Sequence, residues 1–269
     1  ILAINTSSVY SLVNLTTGQF YHKTAVLDFQ SIDLNIWKSY NSGDSEVGLF
    51  GLGWCSNLDY KIVKINKTSK LLHCGKMVAE LKSGQQGSAI NEYLLKKSRT
   101  NTLNIYQGLN KKFEFYKNGK LKKIFKKSEY IELKYKKNKI IIRNSLKKIF
   151  KASLSNKKIS RIDYKKKSIR KYIYNQNLLV QEFNNNFKAV KYSYTKKNKL
   201  FKIINPYGRS INLKYNKNNL VIAVNKSDKC KENYSYDKIY LLTTFYLISK
   251  PTFCANRDAS HDRIYCQTI

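Results

Sequence analysis

Only 2 Pro, 1 Met and 3 His occur in 269 residues, and Asp and Glu together number 17. So few prolines leave no room for a Pro-rich linker. The histidines (His22, His73, His261) sit in no recognisable catalytic motif. Acid pairs that could divide general acid and base work reduce to Asp44/Glu46 and Glu129/Glu132, which fall in turn or outward strand positions. No apolar run reaches the roughly 20 residues of a membrane span; the most apolar, Ile239 to Ile248, is half of that. The five cysteines (Cys55, Cys74, Cys230, Cys254, Cys266) lack any Cys-x-x-Cys spacing, which argues against a zinc ribbon or a thioredoxin-like site. Two disulfides with one cysteine over, or five reduced thiols, are both open.

What the chain has is Lys and Tyr. There are 51 Lys+Arg, for a formal net charge of +34, and 21 Tyr. Such a field attracts nucleic acid, anionic membrane or acidic glycans. A competing explanation is base composition, because Lys travels here with Asn, Ile and Tyr, all with A/T-rich codons. The Lys also alternate with apolar residues and fill turns, so they do not gather in one patch. Apolar residues make up 42%, enough to exclude a disordered polycation. The length allows one large or two modest domains with a sizeable core.

Alternation of period two dominates the chain, and the fold class it predicts is all-β. Val13 to Phe20 reads as a turn entering a strand, and Val26–Phe29 and Leu34–Tyr40 as two further strands. The glycines of Gly48-Leu49-Phe50-Gly51-Leu52-Gly53-Trp54 are no phosphate loop, because the residues after them (Asn57 to Ile62) alternate like a strand instead of opening a helix. They let the backbone turn beside a buried Trp54. Leu71–Leu81 and Glu92–Tyr106 read as strands of one sheet, broken by Ser83–Ser88.

A repeat then takes over. Residues 189–224 contain the same unit twice: an alternating strand ending in Tyr194 or Tyr215, a Lys/Asn turn, and Leu200 or Leu220 opening the next strand. Between the copies lies Asn205-Pro206-Tyr207-Gly208, a turn in which Pro206 fixes φ and Gly208 can take φ > 0. Extended outward, the strand-end residues are Phe115, Tyr135, Leu154, Tyr174, Tyr194, Tyr215 and Tyr236. Their successive spacings are 20, 19, 20, 20, 21 and 21, the mark of a repeat architecture. Gly119 occupies the turn of the first copy. One unit is a hairpin that cannot bury its apolar face alone, so neighbours must stack into a curled antiparallel sheet. The aromatics are expected as a framework ladder across that sheet.

The motifs resemble a known family. Thr17-Gly18-Gln19, Tyr40-Asn41-Ser42, Gly48, Gly51-Leu52-Gly53-Trp54, Asn57 and Asp59-Tyr60 look like the module that opens the repeat region of Rhs (YD-repeat) proteins. Phe113 to Leu121 is similar to that family's repeat, with its aromatic, polar pair, Asn-Gly, basic residue and Leu. The family's Asp after the Tyr survives at Tyr236-Asp237 and is Lys, Thr or Asn elsewhere. The resemblance implies a partial Rhs-type shell: an N-terminal module over 1–110, a degenerate hairpin array over 111–237, and a divergent strand and loop over 238–269. It implies a non-catalytic scaffold with a protein cargo or cell-surface partner, in a bacterial secreted or contact-dependent toxin system. No cofactor and no metal are implied. Seven copies make at most part of a shell, and the start at Ile1 and not at Met suggests that a signal peptide or a longer N-terminal portion has been removed. Sheet edges offer self-association.

The C-terminal stretch Pro251–Cys266 reads as loop. It holds the one cluster of metal-capable residues close in sequence: Cys254, Asp258, His261, Asp262 and Cys266. Its spacing fits no structural zinc pattern, and Cys254 and Cys266 are candidates for a short disulfide loop. Two rival functions remain: a Lys-rich anion binder, and a small hydrolase or nuclease using that cluster.

Overall fold

The computed structural model describes residues 10–29, 34–65, 68–82, 93–97, 103–107, 110–185, 189–227, 231–236, 252–256 and 264–268. These residues form strands and turns, with no helix among them. The all-β expectation holds, and so does the antiparallel hairpin pattern. Two compact units are present: one of residues 23–40 and 44–172, the other of 10–22, 41–43 and the chain from 173 onward.

The N-terminal strands are β1 (Tyr10–Asn14), β2 (Gln19–Leu27), β3 (Ile36–Asn41), β4 (Val47–Gly48), β5 (Gly51–Leu52) and β6 (Trp54–Ser56). β2 is one continuous strand, where the sequence suggested one strand entered near Phe20 and a separate one starting at Val26. In the first unit β3 pairs with β6, setting Lys38 opposite Ser56, Ser39 opposite Cys55 and Tyr40 opposite Trp54. β4 and β5 form the small hairpin of the glycine-rich stretch. Trp54 is buried beside it, as read from the sequence.

β7 (Tyr60–Ile65), β8 (Thr68–His73) and β9 (Lys76–Lys82) make a three-stranded sheet of their own. This corrects the single-sheet reading of 71–106. β10 (Tyr93–Lys97) and β11 (Leu103–Gln107) belong instead to the hairpin array. Next in the first unit come β12 (Lys111–Phe115), β13 (Leu121–Lys126), β14 (Glu129–Lys136), β15 (Lys139–Asn144), β16 (Ile149–Ser155) and β17 (Lys158–Tyr164), and β18 (Lys167–Asn175) has residues in both units. The second unit continues with β19 (Leu178–Asn184), β20 (Ala189–Tyr194), β21 (Leu200–Ile204), β22 (Ser210–Tyr215), β23 (Val221–Lys226) and β24 (Lys231–Asn233). From β10 to β18, and again from β19 to β24, consecutive strands pair antiparallel in chain order. Tyr135, Leu154, Tyr174, Tyr194 and Tyr215 stand at or next to the end of every second strand, from β14 to β22.

Alternation decides which face is core. Ile105, Phe113, Ile124 and Ile131 lie directly opposite one another on successive strands, all fully buried. Leu133, Ile142 and Phe150 form a second buried row. Burying each such side chain contributes about 1.5–3 kcal/mol. The opposite face carries Glu114, Lys123, Glu132 and Arg143 in direct cross-strand register. Acid and base alternate along that row, so neighbours offset one another and the sheet face there is not of single sign.

The C-terminal segment departs from its loop-like reading. β25 (Thr252–Asn256) and β26 (Ile264–Thr268) pair antiparallel, with Cys254 opposite Cys266 in backbone register. Thr, Phe, Ile and Tyr favour extended backbone enough to outweigh the polar turn-forming residues between them. The side chains of Cys254 and Cys266 lie outside what is described, as do Asp258, His261, Asp262, Cys230, Asp237 and the run Ile239–Ile248.

Candidate functional site

Two groups of side chains stand out: the tyrosine turns of the array and a cysteine–histidine group in the N-terminal part. Each is built from strand ends.

The array's turns share one construction. At Tyr116–Lys120, Thr195–Lys199, Asn205–Arg209 and Asn216–Leu220, the fourth residue's N–H donates to the first residue's carbonyl, and the first residue's N–H donates to the fifth's carbonyl. The fourth residue is left-handed each time: Gly119 (φ 78), Asn198 (φ 59), Gly208 (φ 81) and Asn219 (φ 61). This is a type I turn closed by a left-handed residue that makes a bulge, and the strand register shifts at Phe115, Tyr194 and Tyr215. In the turns that start at Thr195, Asn205 and Asn216 the first residue's side chain finishes the turn. Asn216 Oδ1 accepts the N–H groups of Asn218 and Leu220 at 3.0 Å each, and Thr195 Oγ1 accepts that of Lys199 at 3.1 Å. Pro206 supplies the fixed φ that the second position of a type I turn takes.

The strand-end tyrosines use their hydroxyls. Tyr194 donates to the carbonyl of Leu179 at 2.9 Å, Tyr215 to that of Leu200 at 2.7 Å, and Tyr236 to that of Val221. Phe115 has no hydroxyl and is fully buried in the core; its neighbour Tyr116 donates forward to Leu133 at 2.8 Å. Tyr135 packs edge-on against Tyr116, and burial together with the nearby Asp59 carboxylate pushes its phenol well above the usual range. At Tyr194, Tyr215 and Tyr236 the recurring contact is an O–H to carbonyl bond.

The N-terminal motif residues likewise serve packing. Gly18 gives its carbonyl to the Val221 N–H at 2.9 Å, and with φ +63 a Cβ there would press on the Tyr236 ring at 2.9 Å. Ser42 exchanges two hydrogen bonds with Phe20, accepting its N–H on Oγ at 2.9 Å and donating its own N–H to the Phe20 carbonyl at 3.0 Å. Asn41 Oδ1 holds the N–H of Gly43. Gly51 and Gly53 take positive φ in the turn before Trp54, whose ring lies 5.5 Å from that of Tyr40. Sequence reasoning missed Lys38. It is fully buried with its ammonium 4.2 Å from the Trp54 ring centre, an arrangement worth about 2 kcal/mol when desolvated.

The second group was also missed. Cys55, in β6, is joined by a disulfide to Cys74, in the turn after β8, with Cα atoms 5.6 Å apart. This closes the reduced-thiol reading for these two. His73 lies between them, its Nε2 2.9 Å from the Ser56 carbonyl and 3.3 Å from Cys55 Sγ. Tyr60, opposite His73 in register, stacks on the imidazole at 3.9 Å, and Trp37 meets it edge-on at 6.1 Å. Burial, then the Lys111 charge, holds His73 below its ordinary pKa, so the neutral ring donates Nε2–H to Ser56. The one signal in the sequence was the placement of two cysteines on either side of a strand–turn–strand unit.

Asp59 braces the same loop. Its carboxylate accepts the Leu49 N–H at 2.9 Å, the Ser56 N–H at 2.8 Å and the Ser56 hydroxyl at 2.5 Å. Burial outweighs these donors and raises its pKa. Three donors from the Leu49–Ser56 stretch make Asp59 a loop-holding group.

Residues 11–77 match a family described as a domain of unknown function, DUF6531. That span contains the Cys55, His73 and Cys74 group. No curated protein matches the chain. No helix among the described residues is long and apolar enough to cross a membrane.

Proposed function

We propose that the chain is a non-catalytic scaffold of the Rhs (YD-repeat) type, part of a shell that encloses or delivers a protein cargo in a bacterial secreted or contact-dependent toxin system. The observation that carries this reading is the turn after Tyr194 and after Tyr215. Thr195 and Asn216 stand where the family's repeat has Asp, and their side-chain oxygens accept turn N–H groups. An Asp carboxylate would accept the same donors, so degenerate copies keep the physical requirement while changing the residue. Gly18 adds support, since a motif residue of the opening module seats against the tyrosine of the last copy. On this reading the partner is a polypeptide held by the array, and the protein works outside the cell or at its surface.

The test is co-expression with the polypeptide encoded immediately downstream, joined through a cleavable linker. After linker cleavage the two are expected to co-elute from a sizing column, with the downstream segment resistant to protease. Separate elution with free digestion would overturn the scaffold reading.

The anion-binding alternative draws on the +34 charge. It requires binding to nucleic acid, an acidic glycan or an anionic membrane surface that falls steeply between about 50 and 200 mM salt. The acid–base alternation at Glu114, Lys123, Glu132 and Arg143 weighs against a continuous basic track.

A further inference from the structure

The scaffold reading leaves the Cys55, His73 and Cys74 group unused, although its three donor atoms lie within 4.8 Å of one another. We propose that this group is a redox-gated zinc site: reduction of the Cys55–Cys74 disulfide lets both thiolates and the His73 imidazole bind one zinc ion. The donor set is two soft sulfurs and one imidazole nitrogen, which selects zinc over magnesium or calcium. Tetrahedral zinc with Zn–S near 2.3 Å and Zn–N near 2.0–2.1 Å sets its donors about 3.5–3.8 Å apart. Cys55 Sγ and His73 Nε2 are 3.3 Å apart, and the cysteine Cα atoms 5.6 Å. Reaching that geometry takes small side-chain rotations once the S–S bond is broken.

The ring is already oriented. Tyr60 stacks on it and Trp37 meets its edge, so little rotamer freedom is left to lose on binding. Metal binding puts the Nε2 lone pair on zinc, shifts the ring proton to Nδ1 and releases the bond to Ser56. A water in the fourth position can then donate to the Ser56 carbonyl. The two elements now tied by the disulfide, β6 and the turn after β8, would be tied by the ion instead.

The redox step needs a low-molecular-weight thiol. One thiolate attacks a cysteine sulfur and forms a mixed disulfide; a second displaces it, leaving as the oxidised RSSR pair. Two electrons and two protons enter the protein, and both cysteines emerge as thiols. Zinc then expels one proton from each thiol. The oxidised protein, with both sulfurs bonded to each other, offers no thiolate and does not bind.

The full chain carrying Cys230→Ser, Cys254→Ser and Cys266→Ser, reduced with a phosphine, is titrated with cobalt(II) and then zinc(II). Sulfur-to-cobalt charge-transfer absorption is expected at one metal per chain, abolished by zinc and absent from the oxidised protein. His73→Gln is expected to weaken zinc binding by more than about 10-fold, since even outer-shell changes cost 10–100-fold. If reduction loosens the fold, zinc is expected to restore the near-UV circular dichroism and to shield both thiols from alkylation. Absence of thiolate–cobalt absorption together with unshielded thiols, or unchanged affinity in His73→Gln, would overturn the proposal.

Discussion

Tyr215 donates its hydroxyl proton to the backbone carbonyl of Leu200, 15 residues earlier in the chain, across 2.7 Å. Tyr194 does the same to Leu179 and Tyr236 to Val221. Each bond ties the end of one hairpin to the opening of the strand before it. Tyr215→Phe keeps the ring and removes the donor, leaving a half-buried carbonyl to find water. The expected loss is about 1 kcal/mol of unfolding free energy in urea. Tyr10→Phe, at a strand position 54% exposed, serves as control and is expected to shift nothing. Equal midpoints for the two variants would show that the hydroxyl clasp adds no stability.

The period of the array was legible because Tyr recurs at strand ends, and alternation showed which face is buried. The hydroxyl bond was not legible, because a strand pattern says where a ring sits and not which carbonyl lies above it. Nor did the sequence mark where the array begins: β10 and β11 carry no strand-end Tyr–Asn pair, yet they extend the sheet. The Cys55–Cys74 link depends on β8 folding back to set His73 opposite Tyr60. That register is a tertiary fact, set by which faces of β7 and β8 are buried.

Alkaline pH should loosen the same clasp. Burial pushes the Tyr236 phenol from 10.0 up to about 12, and a phenolate cannot donate to Val221. The folded chain therefore holds this proton more tightly than the unfolded chain does. Its contribution to stability is complete below pH 10 and is lost as pH rises from 10 to about 12. Tyr236→Phe is expected to flatten the fall of stability with pH across that window. Parallel curves for parent and variant would sink this assignment.

Gly119 and Gly208 share a turn geometry and differ in surroundings. Both have positive φ, 78 and 81. A Cβ on Gly208 would meet nothing within 4 Å, whereas one on Gly119 would stand 1.9 Å from the Ile62 carbonyl oxygen. The Ile62 N–H also bonds the Gly119 carbonyl at 2.8 Å, fixing β7 against this turn. Gly208→Ala should cost only the left-handed backbone, about 1–2 kcal/mol. Gly119→Ala must in addition push two backbones apart, and is expected to lower the thermal midpoint at least twice as far. Similar midpoints would mean that the β7 contact is dispensable.

Several hairpins carry lysine where the backbone prefers glycine. Asn156 and Lys157 (φ 48 and 63) and Lys165 and Lys166 (φ 47 and 65) are two-residue turns with both φ positive, the conformation that Asn-Gly fits best. Lysine there holds a strained backbone and adds like charge. Lys157→Gly, which creates Asn-Gly, is expected to raise stability by about 1 kcal/mol. Lys165→Asn with Lys166→Gly should do at least as well. Chemical denaturation of both variants is the measurement, and a loss of stability would show that these lysines hold contacts worth more than the strain.

The disulfide offers the most direct measure of how far the N-terminal strands depend on a covalent tie. Cys55 and Cys74 are separated by 19 residues, and closing a loop of that size restrains the unfolded chain by about 3 kcal/mol. The pair also surrounds His73, whose stacking on Tyr60 and bond to Ser56 hold the same segment without it. Cys55→Ser with Cys74→Ser, in metal-free buffer, is therefore expected to lose about 2–4 kcal/mol and still fold. The loss should be local. Amide exchange is expected to quicken across β6 to β8 while Ile105, Phe113 and Ile124 in the array stay protected. Uniform loss of protection would mean instead that the array cannot hold its sheet once the N-terminal tie is cut.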